Sequence, residues 1–102
     1  MTKLTAILSA TLLAASAGLV QARDIAPEEA VQLLNAGTIQ SFEKLNEAAL
    51  AQHPGGTIDD AELEEKRGRY VYEVEIVDAQ GVEWDLDLDA ATGEVLKNRK
   101  DD

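Results

Sequence analysis

Residues 70–96 read "YVYEVEIVDAQGVEWDLDLDAATGEVL", and their period decides the fold. Tyr70, Tyr72, Val74 and Ile76 alternate with Val71, Glu73, Glu75 and Val77. Val82, Trp84, Leu86 and Leu88 alternate in the same way with Glu83, Asp85 and Asp87. Side chains that repeat every second residue belong to strands, and this alternation predicts one apolar and one acidic face. The spaced aspartates also invite a calcium-loop reading, D-x-D-x-D-G-x5-E, which needs glycine at position six and glutamate at position twelve. Counted from Asp85, those positions hold Ala90 and Leu96, so both diagnostic residues are wrong. Three aspartates along an extended strand point in parallel and do not wrap around an ion. The aspartate spacing is the period of a strand.

The connections around these strands carry turn chemistry. Asp78-Ala79-Gln80-Gly81 places Asp first and Gly fourth, as type I turns prefer. Lys66-Arg67-Gly68-Arg69 separates the pair from a weaker alternation, Ala61 and Leu63 against Glu62 and Glu64. Asp89 to Gly93 closes the last hairpin. There Asp89 and Thr92 supply side-chain acceptors, and Gly93 can take a positive φ, so these three are assigned a structural role in the turn. Glu94 to Lys97 is a further short strand candidate, and the run Lys97-Asn98-Arg99-Lys100-Asp101-Asp102 is expected to fray.

Upstream the period changes. In "IAPEEAVQLLNAG", Pro27 suits the first helical position, and Glu28 and Glu29 complement the positive helix end. Ala30, Val31, Leu33 and Leu34 form its apolar stripe and Gly37 its stop. In "SFEKLNEAALAQHPGG", Ser41 caps a second helix with Phe42, Leu45, Ala48 and Ala49 buried, and Pro54-Gly55-Gly56 breaks it. The predicted class is α+β: two N-terminal helices packed on one face of a three- to four-stranded antiparallel meander.

The bulk numbers limit what this domain does. The chain has 102 residues, no cysteine and a formal net charge of -11. Acidity of this order disfavours nucleic acid and anionic membranes as partners. It permits a basic partner, polycations or divalent ions, and equally no partner, since net charge keeps a secreted protein soluble. Lys3, the uncharged run Leu4–Ala22 and the small residues of Val20-Gln21-Ala22 are expected to be an export signal cut before Arg23. The competing membrane anchor needs a more strongly apolar stretch than this Thr-, Ser- and Ala-rich one. The expected location is therefore periplasmic or secreted, without stable membrane insertion after cleavage. Residues 23–38 are an accessory helical segment, 39–98 the main domain and 99–102 a charged tail.

The stretch Tyr70–Lys97 resembles the PepSY domain family. The likeness runs through the Tyr72–Ile76 strand, the Asp78–Gly81 turn and the strand through Trp84. Its most specific part is the closing Asp89-Ala90-Ala91-Thr92-Gly93-Glu94-Val95. It extends more loosely back to Ile39 through His53-Pro54-Gly55-Gly56, whereas the segment before Gly37 departs from the family's minimal pattern. The resemblance implies an exported helix-plus-sheet module of the kind found in propeptides of thermolysin-like metallopeptidases and in stand-alone bacterial envelope proteins. It implies an inhibitory or regulatory role towards peptidases and supplies no catalytic motif. With no peptidase domain in these residues, a stand-alone role is expected.

Two functional readings follow. The first is a non-enzymatic envelope protein that binds and modulates a protein partner, a peptidase or a sensor domain. The docking candidates are the acidic face residues Glu62, Glu64, Glu73, Glu75, Glu83, Asp85 and Asp87. The second uses the same face to bind or sense divalent cations or polycations. The plain alternative to both is a solvated face whose repulsion salt screens and whose charges guard against aggregation. His53, the single histidine, has no companions for a zinc site and suits a helix C-terminus, and no nucleophile constellation is present. Cofactor and metal are both assigned as none.

Overall fold

The computed structural model describes residues 22–101. The export signal expected over residues 1–22 therefore lies, except for Ala22, outside the described residues. In chain order the elements are β1 (Arg23–Asp24), α1 (Pro27–Asn35), α2 (Phe42–Ala51), β2 (Thr57–Lys66), β3 (Arg69–Val77), β4 (Glu83–Asp89) and β5 (Val95–Lys100). The strands form one antiparallel sheet in the order β1-β2-β3-β4-β5. The class is α+β with helices before the sheet, as the alternation predicts. The strand count is five, because Arg23–Asp24 adds an edge strand and the run expected to fray is paired as β5.

Each element forms for a local reason. In α1, Pro27 takes the first turn with Glu28 and Glu29 beside it. Ala30 is buried and Leu33 and Leu34 pack against the core, but Val31, assigned to the same stripe, is exposed. The Ser41 hydroxyl caps α2 by accepting from the Lys44 N–H at 3.2 Å. Leu45 and Ala49 of α2 are fully buried over the sheet, and Phe42 stacks on Tyr72 with ring centroids 5.5 Å apart. Tyr72 Oη donates to Asn46 Oδ1 at 2.7 Å, fastening helix to sheet. Beneath them lie Leu63, Tyr72, Val74, Ile76, Leu86, Leu88 and Ala90. Burying each large aliphatic side chain there contributes about 1.5–3 kcal/mol.

The turns set the register. Arg67 and Gly68 have φ of 52° and 78° between the paired Lys66 and Arg69, which makes a two-residue turn of the twist-matching kind. The β3–β4 connection is organised by Asp78. Its Oδ1 accepts from the Gln80 and Val82 N–H groups at 2.9 Å each, and its Oδ2 from Trp84 Nε1 at 2.9 Å. In the last turn Asp89 Oδ1 accepts from the Ala91 and Thr92 N–H groups, and Thr92 Oγ1 from that of Glu94 at 3.1 Å. Among the described residues no helix is long and apolar enough to cross a membrane.

Candidate functional site

Strand pairing places the expected acidic residues on the sheet face that the helices leave uncovered. Glu62 lies opposite Glu73, Glu73 opposite Asp87 and Asp87 opposite Lys97. The next row is Asp60, Glu75, Asp85 and Arg99. The two rows, Arg99 excepted, line a shallow depression of about 310 Å³. Glu83 lies beyond it opposite Val77, and Glu64 lies at the other end opposite Val71. All seven predicted carboxylates thus share one face, with Glu62, Glu73, Glu75, Asp85 and Asp87 at its centre.

Several residues of the site escaped the sequence reading. Asp60 joins the face because the pairing of β2 shifts between Ile58 and Asp60, a bulge that moves later residues to the opposite parity. Lys97 and Arg99 face the carboxylates because the C-terminal run is a strand. Their spacing of two was the available signal. Lys66 and Arg69 complete a basic rim at the β2–β3 hairpin.

Compensation between the rows is unequal. Lys66 Nζ stands 3.2 Å from Glu73 and Lys97 Nζ 3.9 Å from Asp87. Among the described residues Asp60, Glu75 and Asp85 have no ion pair within 4.0 Å. Loss of hydration, and then Asp85, Asp60, Glu83 and Asp59, raise the Glu75 carboxyl above its ordinary range. Burial raises that of Asp87, and Lys97 offsets this in part. Like charges directly opposed across strands are destabilising, so this surface is held against its own repulsion.

His53 occupies a different place from the one expected. Its ring does not cap the end of α2. Nε2 lies 2.9 Å from Asn98 Oδ1, and the ring packs on Trp84 with centroids 4.5 Å apart.

A family model described as PepSY, peptidase propeptide and YPEB domain, matches residues 39–99. That span holds α2, β2, β3, β4 and all but the last residue of β5, while β1 and α1 precede it. The uncharacterized protein YkoJ of Bacillus subtilis (strain 168) is 40% identical over 60 residues, which is 59% of this chain and 35% of that protein. The alignment thus spans about a third of that relative's length. No solved structure matches.

Proposed function

The chain belongs to the PepSY family, and from that premise we propose that it is a non-catalytic module that docks on a protein partner and modulates it. The family description names peptidase propeptides, so the partner class is a peptidase, or a sensor domain of the same compartment outside the cytoplasm. The observation that carries this reading is the Asp60–Glu75–Asp85 row. Three carboxylates stand side by side on an uncovered sheet face, without the lysines that serve the adjoining row. A basic surface laid on the row would relieve the repulsion that the free protein carries.

The test is fluorescence anisotropy with a labelled lysine-rich peptide and an acidic peptide of equal length, in salt of about 0.15 M to screen diffuse attraction. Saturable binding of the basic peptide should weaken at least about tenfold when Asp60, Glu75 and Asp85 become Asn, Gln and Asn. Equal affinity in the triple variant, or equal binding of the acidic peptide, would remove the face from the reading. Secreted peptidases assayed with and without the protein then identify the partner class.

A further inference from the structure

Three carboxylates from two strands converge at the β1–β2 seam. Asp24 lies directly opposite Glu64, and Glu62 precedes Glu64 by two residues, so all three project from the uncovered face. One carboxylate oxygen of each lies within 4.8 Å of the others. Oxygens sharing one calcium-sized ion at 2.3–2.6 Å stand at most roughly 5 Å apart, so the spacing suits a single cation.

The second observation is the state of Glu64. It is 9% exposed, whereas Asp24 and Glu62 are open to solvent, and its Oε1 is buried with no hydrogen-bond partner among the described residues. The Lys66 ammonium stands 4.0 Å from that oxygen, beyond hydrogen-bonding reach, and is turned to Glu73 at 3.2 Å. A buried carboxylate oxygen without a donor is costly, and its neighbour across the strands, Val71, offers none. Burial, then Glu73 and Asp24, raise the Glu64 carboxyl above its ordinary range, and Lys66 offsets this only in part.

We infer that Asp24, Glu62 and Glu64 form a binding site for a hard divalent cation of the calcium class. Carboxylates without imidazole or thiolate select such ions over zinc. Three protein ligands are fewer than the six to eight oxygens calcium takes, and water reaches Asp24 and Glu62 to complete the set. That places the affinity in the range of roughly 0.1–1 mM found in extracellular modules. The bound ion would fasten the two-residue β1 to the main sheet, adding to the Arg23 guanidinium that bridges Glu29 and Glu65. This goes beyond the docking reading, whose residues Asp60, Glu75 and Asp85 lie elsewhere on the face.

The experiment is calorimetric titration of the full chain with calcium chloride at about 0.15 M salt, with amide NMR shifts followed in parallel. One-to-one saturation at millimolar calcium or below is expected, with shifts centred on Asp24 and Glu62–Glu65. Glu64→Gln and Asp24→Asn should each weaken binding at least about tenfold, and Glu47→Gln, on α2, should leave it unchanged. Asp24 is exposed, so its variant keeps the test intact if Glu64→Gln folds poorly. Absence of saturation up to about 10 mM overturns the site. So do undiminished affinity in Asp24→Asn and shifts spread evenly along the Asp60–Glu75–Asp85 row.

Discussion

Replacing Gly56 with alanine tests how α2 is joined to the sheet. Gly56 closes the turn after the helix, donating its N–H to the His53 carbonyl at 2.9 Å. A Cβ at this position would lie 2.9 Å from that same oxygen, 2.9 Å from Ile76 Cγ2 and 3.2 Å from the Val77 carbonyl. Two of these walls are backbone, and the third belongs to a fully buried side chain. Overpacking of this kind costs about 1–3 kcal/mol, and the lower entropy of an unfolded alanine returns roughly 0.4–1 kcal/mol. The net loss is about 1–2 kcal/mol, which for a domain of this size lowers Tm by roughly 5–15 °C. The clash also displaces His53, whose ring packs at a tilt on Trp84, the sole tryptophan. Tryptophan emission should therefore change in the folded variant. Gly37→Ala is the control. Gly37 has φ of 75° with nothing among the described residues within 4 Å of the added methyl. That variant should lose about 1–2 kcal/mol through backbone strain alone and keep native emission. A Gly56→Ala protein that melts within about 2 °C of the parent with unchanged emission would refute the packing argument.

Tyr72→Phe removes the 2.7 Å hydrogen bond to Asn46 and leaves that amide oxygen unpaired, so urea unfolding should register a loss of about 1–2 kcal/mol. Arg67 holds φ at 52°, where asparagine is better tolerated, so Arg67→Asn should gain roughly 0.5–1 kcal/mol and raise Tm by a few degrees in a thermal melt. Stability should rise and then fall as pH drops from neutrality. Glu75 and Asp87 have folded values above their ordinary ones, so the folded state binds their protons more tightly. Their contribution is gained as pH falls from the raised values towards about 4. Asp78 is held below its ordinary value, first by the Trp84 N–H and then by backbone N–H groups. Its contribution stands above about 4 and is lost as pH falls through the lowered value. Melting followed by circular dichroism should show a maximum on the acid side of neutrality, and Glu75→Gln with Asp87→Asn should flatten the approach to it.

The faces of β3 and β4 were legible because every second residue from Tyr70 to Ile76 and from Val82 to Leu88 is apolar. What the alternation does not specify is which charge meets which. That depends on register, and register was hidden at two points. The bulge between Ile58 and Asp60 brings Asp60 onto the acidic face, although the spacing of Ile58, Ala61 and Leu63 contains no uniform period. The polar run from Lys97 to Lys100 has poor strand propensity and forms a strand through its partner. Lys97 meets Asp87 and Arg99 meets Asp85, so tertiary pairing overrides local preference. The two residues of β1 are too few to show a period. His53 was assigned to a helix end from its position in the chain, and its role with Asn98 and Trp84 depends on residues 45 and 31 positions away in sequence.

Net charge alone gives no reason to expect a patterned surface, yet the basic residues on this face are not spread evenly. Lys66 and Arg69 stand at one hairpin, and Lys97 and Arg99 on the edge strand β5. Lys66, Arg69 and Lys97 serve Glu73, Asp89 and Asp87, while Arg99 lies in register with Asp85 without an ion pair. Among the described residues Asp60, Glu75 and Asp85 have no cation within 4.0 Å. A surface selected for solubility would gain from a lysine in place of Glu75, between Asp60 and Asp85, because it would convert two repulsions into attractions. Retaining glutamate there gives up stability that a single substitution would recover, and sites that give up stability are where binding is concentrated. Neutralising Glu75 should therefore steady the fold and weaken capture of a basic partner together. A purely solvated face predicts the first effect without the second.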